Sequence, residues 1–246
     1  NICKEELILN LRRNIKNQDY KNFLCKLERR KVREPIAYII KKKEFWKNEF
    51  FVNNDVLIPR PETELIVEET LKKIDLKSSK NLLDIGVGSG CILISILKER
   101  PNCFGTALDI SKKALKVANI NAKMHQTENK IKFINIDIDK FNFKKYDFII
   151  SNPPYIDNIK LKRLEENVRL FEPKVALKAG FDGLTEIKKL IIKSKNLLKI
   201  NGILIFEIGV KQETYIKEFL IKNCFYINKI LKDINSIPRV IISTKV

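Results

Sequence analysis

The feature that most constrains the fold of this chain is a regular alternation, after residue 80, of short apolar runs with stretches of helical character. Apolar runs rich in Ile, Leu, Val and Phe are typical of buried strands. Helical stretches separate the first five runs, which predicts a mostly parallel sheet covered by helices on both faces. The predicted strands are residues 81–85, 104–108, 131–136, 147–151, 202–208, 224–231 and 238–244.

Only a short turn separates the last two predicted strands, and so short a connection requires antiparallel pairing. The sequence therefore predicts an α/β protein whose seven-stranded, mostly parallel, doubly wound sheet ends in an antiparallel hairpin.

The N-terminal part of the chain is basic and helical in character. Its apolar residues recur at helical spacing as far as the Glu-Pro pair at residues 34–35, and residues 45–52 are aromatic and β-prone, with a turn predicted at 47–49. The apolar residues that define this pattern are Leu7, Leu9, Leu11, Ile15, Phe23, Leu24 and Leu27. We expect a small helical unit that is followed by a short β-hairpin.

A segment punctuated by prolines leads from the hairpin to a further predicted helix over residues 64–75, for which Glu62 or Thr63 would be the cap. The expected layout is a small N-terminal unit over residues 1–55, a linker and helix over 56–80, and the sheet domain over 81–246.

A glycine-rich loop follows the first strand of the predicted sheet. Residues 82–90 read Leu-Leu-Asp-Ile-Gly-Val-Gly-Ser-Gly, a GxGxG spacing rather than the GxGxxG of a dinucleotide site, and no P-loop GK[ST] follows. Small residues let the backbone approach a ligand closely. The carboxylate of Asp84 would repel a pyrophosphate, whereas it suits an amino-bearing ligand such as the methionine end of S-adenosylmethionine. The predicted ligand contacts are Asp84, Gly86, Val87, Gly88, Ser89 and Gly90.

Acidic residues also stand near the ends of the next two strands. Asp109 could accept hydrogen bonds from both hydroxyls of a ribose, and Asp137 with Ile138 could hold the edge and the face of an adenine. A tight turn without any ligand is the competing explanation of the glycine loop, and the positions of Asp84 and Asp109 disfavour it. The pattern predicts S-adenosylmethionine as the cofactor.

The motif that says most about chemistry is Asn152-Pro153-Pro154-Tyr155, which follows the fourth strand at the end where such sheets bind ligands. A primary amide or aromatic amine is a poor nucleophile because its lone pair is delocalised. The side-chain carbonyl of Asn152 and the backbone carbonyl of Pro153 could accept its two N–H bonds, since both prolines fix the local backbone. Tyr155 could pack its ring on a planar acceptor, and Asn152 would also border the cofactor. By itself the turn predicts a planar NH₂ acceptor and leaves amide and base open.

Taken together, these motifs resemble those of the class I S-adenosylmethionine-dependent amino-methyltransferases, which have a Rossmann-like sheet. Other segments are similar to those of the release-factor glutamine methyltransferases, and the resemblance extends from about residue 28 to the end of the chain. The segments are residues 34–38 (Glu-Pro-Ile-Ala-Tyr), 44–46 (Glu-Phe-Trp), 58–64 (Ile-Pro-Arg-Pro-Glu-Thr-Glu) and 171–177 (Phe-Glu-Pro-Lys-Val-Ala-Leu).

The resemblance implies N5-methylation of the glutamine in the Gly-Gly-Gln motif of peptide chain release factors. It implies that Asn152 and Pro153 hold the glutamine amide with Tyr155 against it, and that the glycine loop, Asp109 and the surroundings of Ile138 bind the cofactor. Residues 58–64 would border the active site, and the N-terminal unit would help to bind the release factor.

Two features depart from the family pattern. The chain begins with Asn1 rather than Met and its helical N-terminal region is shorter than usual, so we expect either a trimmed N-terminus or altered docking. Ile138 stands where the family often has an aromatic residue, which would weaken adenine stacking.

Composition separates the remaining function classes only in part. The net charge of +18 would suit a nucleic-acid partner, but only ten of the 48 basic residues are arginine and the lysines are spread over the whole chain. We read this as compositional bias and expect no direct nucleic-acid binding. The sequence has one histidine, His125, and no CxxC pair, which argues against a metal site. We expect a monomer without a membrane span, located in the cytoplasm or an organelle.

Three other functions stay open at this point. A DNA or RNA adenine or cytosine amino-methyltransferase would use the same turn, although the chain has no long insertion able to read or flip a base. The motifs barely separate a ribosomal-protein glutamine methyltransferase from the main interpretation. A binding protein without catalysis would need neither the intact turn nor the intact loop.

Four further side chains remain to be interpreted. Arg60 could bind a carboxylate or stabilise the linker, and Glu207 could face the site or be a satisfied carboxylate at a strand end. We expect Trp46 to pack between the small unit and the core, and His125 to be exposed.

Overall fold

The computed structural model describes residues 8–10, 14–142 and 144–246, so Leu7 and Leu11 of the predicted N-terminal helix lie outside the described residues. The strands are β1 (Lys42–Phe45), β2 (Asn48–Phe51), β3 (Asn81–Ile85), β4 (Phe104–Asp109), β5 (Ile131–Asn135), β6 (Tyr146–Ser151), β7 (Leu198–Glu207), β8 (Phe225–Lys232) and β9 (Pro238–Lys245). The helices are α1 (Asn17–Lys31), α2 (Ile36–Ile40), α3 (Glu64–Lys72), α4 (Cys91–Glu99), α5 (Lys112–Met124), α6 (Asn158–Leu161), α7 (Glu166–Phe171), α8 (Lys174–Leu177), α9 (Thr185–Leu197) and α10 (Glu213–Lys222).

Seven of the strands form one sheet in the order β5-β4-β3-β6-β7-β9-β8. The five strands from β5 to β7 are parallel, whereas β9 is antiparallel to both β7 and β8. This confirms the predicted doubly wound sheet and its terminal hairpin. β7 begins earlier than predicted because its first pair, Leu198 with Tyr146, is separated by a bulge from the regular register that starts at Ile203.

Alternate residues of each central strand enter two different cores, as the two-residue period of a strand requires. Leu82 packs in the core beside α3, α4 and α5, whereas its neighbour Leu83 packs in the core beside α9 and α10. Both faces of the sheet are therefore covered, which explains why the strands appear in the sequence as continuous apolar runs.

The β1–β2 hairpin is packed on the same core as α4. Phe45 and Phe50 are buried there, and the buried side chain of Asn121 on α5 exchanges two hydrogen bonds with the backbone of Phe51, at 2.7 and 2.9 Å. The Asn121 amide also donates to the Ser89 carbonyl at 2.8 Å. One buried amide thus joins the hairpin to the glycine loop.

The hairpin and the residues that contact it test three predictions, which concern the position of the turn, the exposure of His125 and the packing of Trp46. Its turn is at Trp46 and Lys47, one residue earlier than predicted, with Trp46 at φ 55°. His125 is half-buried rather than exposed, because its ring packs on Phe50 and its Nε2 donates to the Glu49 carbonyl at 2.9 Å. Trp46 packs against the core, as expected, and its indole N–H donates to Glu99.

The strand order reverses at β3: β4 and β5 lie on one side of it, and β6 and β7 lie on the other. The loops that follow β3 and β6 therefore diverge, and they leave a crevice at the carboxyl ends of the strands. Within the described part of the chain, no helix has both the length and the apolar character needed to cross a bilayer.

Candidate functional site

A cavity of about 450 Å³ occupies this crevice. Its wall brings together ten of the residues predicted from the sequence, which come from the loops after β3, β4, β5 and β6. These ten are Gly86, Val87, Gly88, Ser89, Asp109, Asp137, Ile138, Asn152, Pro153 and Pro154. Asp84, Gly90 and Tyr155 are not part of the wall.

The glycine loop is held by the end of β4, through the Leu108 carbonyl and the Asp109 side chain. The N–H groups of Gly86 and Val87 donate to the Leu108 carbonyl at 2.9 and 3.0 Å, and that of Gly88 donates to Asp109 Oδ2 at 3.0 Å. Gly86 has a φ of +74°, a conformation that side-chain-bearing residues rarely adopt. The loop is thus shaped before any ligand arrives.

Gly90 serves packing rather than ligand contact. It precedes the first residue of α4 with a φ of +83°, and a Cβ there would lie 2.8 Å from Ile94 Cδ1 and 3.3 Å from Ala118 Cβ. Its lack of a side chain lets α4 and α5 approach each other behind the loop.

Asp109 is placed to hold hydroxyl groups. Its Oδ1 accepts from the Ser111 N–H at 2.8 Å and its Oδ2 from Gly88, which leaves each oxygen one further acceptor position. Burial raises the pKa of this carboxyl, against the effect of the two backbone N–H groups. The geometry fits the two adjacent hydroxyls of a ribose.

Asp84 lies behind the loop, 1% exposed, and within the described residues neither of its carboxylate oxygens has a hydrogen-bond partner. Burial, reinforced by the charge of Asp109, raises its pKa to about 8. A buried carboxylate without partners is costly unless a cation approaches it. Asp84 is not part of the cavity wall, so a cation in the cavity would act on it across the loop, by favouring its ionised form. Together with Asp109, this arrangement fits a ligand that carries both an amino group and a nucleoside.

The far end of the cavity is formed by Asp137 and Ile138, both half-buried. Asp137 Oδ1 accepts from the Asp139 N–H at 2.9 Å and so caps the short 3-10 helix Ile138–Lys140. Ile110 and Ile136, which the sequence reasoning did not identify, add apolar surface here. Aliphatic side chains thus supply the contacts for a flat ring.

Beneath the Asn-Pro-Pro-Tyr turn lies a chain of hydrogen bonds that the sequence did not reveal. Asn152 Nδ2 donates to Thr63 Oγ1 at 3.1 Å, and Thr63 Oγ1 donates to Glu207 Oε2 at 2.6 Å. The hydroxyl of Tyr155 donates to Glu207 Oε1 at 3.0 Å. Because its hydroxyl needs this partner in a buried position, Tyr155 is drawn behind the wall instead of standing in it.

Glu207 is therefore a satisfied carboxylate at the end of β7, and it supports the site from behind. It is 2% exposed, and burial raises its pKa while the hydrogen bonds from Thr63 and Tyr155 lower it. Thr63, considered from the sequence only as a helix cap, makes no capping hydrogen bond and lines the cavity instead. The one sequence signal for a role of Thr63 in the site was its position within residues 58–64, the segment expected to border the active site.

An ion pair between Arg60 and Glu172 joins residues 58–64 to residues 171–177. Arg60 Nη2 donates to Glu172 Oε1 at 2.5 Å, where the Glu172 side chain is 1% exposed, and the Ile58 N–H donates to Glu172 Oε2 at 3.4 Å. Arg60 thus binds a carboxylate of its own chain and also stabilises the linker. Both joined segments reach the cavity, the first through Pro59 and Arg60 and the second through Lys174, Val175 and Ala176.

Comparison with known sequences agrees with this arrangement. Residues 62–172 match the Methyltransferase small domain family. A release factor glutamine methyltransferase of Caulobacter vibrioides is 38% identical over 89% of this chain and 76% of its own length. A bifunctional methyltransferase of Rickettsia prowazekii is 38% identical over 96% of this chain but 49% of its own length, so the chain spans about half of such relatives.

Comparison with solved structures supports the fold. A ribosomal protein L11 methylase from Lactobacillus delbrueckii subsp. bulgaricus superimposes with a TM-score of 0.58 at 18% identity, over 79% of this chain and 84% of that one. At 18% identity the structural similarity shows the fold alone. The match to the Caulobacter vibrioides sequence, at 38% identity over 76% of that protein, shows the family. The chain belongs to the release factor glutamine methyltransferase family.

Proposed function

We propose that this protein methylates the side-chain amide nitrogen of the glutamine in the Gly-Gly-Gln motif of peptide chain release factors, with S-adenosylmethionine as the methyl donor. One observation carries the proposal. Asn152 and Pro153, which can accept N–H bonds from an amide, line the same cavity as the glycine loop and Asp109, which fit an amino-bearing nucleoside.

The chain's own residues divide the chemistry between them. The glycine loop and Asp109 would hold the cofactor. Asp84, behind the loop, would be ionised by the positive charge of the cofactor's amino end and would offset that charge without contact. When bound, S-adenosylmethionine supplies a methyl group on a positively charged sulfur, which is a good leaving group. Asn152 Oδ1 and the Pro153 carbonyl accept the two N–H bonds of the glutamine amide, and so orient its nitrogen.

Exposed aromatic residues on α1 support a docking role for the N-terminal unit. None of the residues of Asn17–Lys31 is buried, and Tyr20, Phe23 and Leu24 follow the spacing of one helix face. Phe23 is 57% exposed. Large exposed apolar side chains at helical spacing are typical of a surface that receives a protein partner. We propose that residues 1–55 dock the release factor, that 56–80 connect them to the catalytic domain over 81–246, and that a monomer acts where translation takes place.

Intact-mass analysis of a release factor after incubation with this protein and S-adenosylmethionine tests the proposal. We expect a gain of one methyl group, which fragment spectra place on the glutamine, and no gain in a release factor whose motif glutamine is replaced by alanine. Duplex DNA and ribosomal protein are the parallel acceptors. Methyl transfer to DNA alone would overturn the proposal in favour of a base methyltransferase, for which the net charge of +18 is the supporting observation.

A further inference from the structure

The carboxamide of Asn152 can adopt two orientations that differ by exchange of its oxygen and nitrogen. Only one of them can bind a substrate amide through its N–H bonds. The carbonyl oxygen must face the cavity if it is to accept an N–H bond. What fixes that choice lies below the turn, in the hydrogen-bond chain from Asn152 through Thr63 to Glu207.

The direction of this chain follows from counting protons. The Thr63 hydroxyl has one proton. Glu207 accepts hydrogen bonds from both Thr63 and Tyr155, and these two bonds and the charge of Arg239 favour its ionised form against the effect of burial. An ionised carboxylate can only accept. The 2.6 Å contact with Glu207 Oε2 therefore uses that proton, and Thr63 Oγ1 offers only lone pairs to Asn152. The Asn152 NH₂ group must point toward Thr63, since its carbonyl oxygen would face a lone pair in the other orientation.

Burial makes the constraint firm. Thr63 is 3% exposed and Glu207 is 2% exposed, so water competes weakly for either group. Glu207 is also held from its other oxygen by Tyr155, and an unsatisfied buried polar group costs more than an ordinary hydrogen bond contributes. Because hydrogen bonds in a chain polarise one another, the carboxylate charge also makes Asn152 Oδ1 a stronger acceptor.

We propose that Thr63 and Glu207 are positioning residues, which together lock the carboxamide of Asn152 with its carbonyl oxygen toward the acceptor nitrogen. The inference rests on the proposed methylation of an amide nitrogen. Thr63 in the linker and Glu207 at the end of β7 would thus help to select the substrate side chain. A glutamine offers N–H donors to Asn152 Oδ1 and can bind, whereas a glutamate offers only oxygens and cannot.

The variant Thr63→Val tests this, because it keeps the shape of the side chain and removes the hydroxyl. We expect kcat for release-factor methylation to fall about 10- to 100-fold, as for loss of one hydrogen bond to a charged group, while the Kd of S-adenosylmethionine stays within about twofold. Thr63→Ser restores the hydroxyl and should recover most of kcat. Equal losses in both variants would overturn the proposal.

A double-mutant cycle separates positioning from direct contact with the substrate, which Thr63 could reach because it lines the cavity. If Thr63 acts through Asn152, Thr63→Val causes no further loss in an Asn152→Ala background. A further loss of the full single-variant size would show that Thr63 contacts the acceptor itself.

An NMR readout does not depend on turnover. In the unliganded protein one proton of the Asn152 side-chain NH₂ should be shifted downfield from the range of an unbonded carboxamide and should exchange slowly with water. Thr63→Val should return that signal toward the usual range and speed its exchange. Unchanged signals would contradict the inference even if activity fell. A wild-type protein that shows these signals but methylates no release factor would overturn the proposed function and leave the lock itself standing.

Discussion

Among single residues, Asn152 has the most demanding position. It follows β6 at the edge of the cavity, with its amide bonded to Thr63. Its backbone enters the two prolines that fix the next two φ angles. A short side chain with one carbonyl can meet these constraints, whereas a longer one would carry its amide away from Thr63.

Replacing Asn152 by alanine removes an acceptor that is oriented before the substrate binds. We expect kcat to fall about 100- to 1000-fold, which is typical of losing one preorganised group at a reacting centre. The Kd of S-adenosylmethionine, measured by calorimetry, should change little. Turnover at the wild-type rate would refute the assigned role of Asn152.

The residue scale also shows where sequence reasoning stopped. The GxGxG loop, Asp109 and the Asn-Pro-Pro-Tyr turn were predictable because each motif is local and its spacing carries its geometry. The contact of Thr63 with Glu207 joins residues 144 positions apart and has no local signature. The position of Tyr155 behind the wall depends on its own hydrogen bond to Glu207, which also has no local signature.

At the scale of elements, the packing of α4 against α5 depends on Gly90. We expect Gly90→Ala to lower the free energy of unfolding by about 2–4 kcal/mol, because it combines an unfavourable backbone conformation with overpacking against Ile94. Gly86→Ala is the matched control, since it has a φ of +74° but nothing within 4 Å of the added Cβ. It should cost about 1–2 kcal/mol.

Urea unfolding of the two variants without ligand measures the difference. If both lose the same stability, the close approach of α4 and α5 at Gly90 is unimportant.

The helix α1 belongs to the same scale, because its proposed role comes from a whole face. We expect Phe23→Lys to raise the KM for an intact release factor about tenfold, since aromatic anchors contribute much of the binding energy of an interface. The kcat for a short Gly-Gly-Gln peptide should be unchanged, because such a peptide lacks the release-factor surface that is proposed to bind α1. Ile221→Lys, on the exposed side of α10, is the control. A similar rise in KM for both variants would indicate an effect of charge alone.

Element by element, the strands were predictable from periodicity, and so were the helices between β3 and β4, between β4 and β5 and between β6 and β7. The helical stretch predicted between β5 and β6 is wrong, because the described residues there form only the short 3-10 helix Ile138–Lys140. The order of the strands in space was only partly predictable. The short turn before β9 predicted its pairing with β8. Nothing in the sequence placed β9 also beside β7, because a strand's second neighbour is chosen by the whole sheet. The hairpin turn was misplaced by one residue because Trp46 takes a positive φ that tertiary packing, rather than propensity, stabilises.

At the scale of the whole molecule, Asp84 couples stability to pH. Its native pKa of about 8 exceeds the ordinary value of 3.8, so the native state keeps a proton that the unfolded chain has lost. The free energy of unfolding of the unliganded protein therefore falls as pH rises between these two values. The variant Asp84→Asn should not show this decline. Its free energy of unfolding, compared with that of the wild type, should therefore be more favourable at about pH 8 than at about pH 5.

Urea unfolding of both proteins at the two pH values provides the measurement. An identical pH dependence in the two proteins would show that Asp84 is not the group that titrates.

The position of β9 in the interior of the sheet has a consequence for synthesis. On the ribosome, β7 is made before β9, and its outer edge stays unpaired until residues 238–245 have emerged. An open apolar edge is a template for pairing with other chains. A nascent chain stalled after β8 should therefore bind chaperones and resist refolding on its own. The turn after β8 and the eight residues of β9 should then close the sheet.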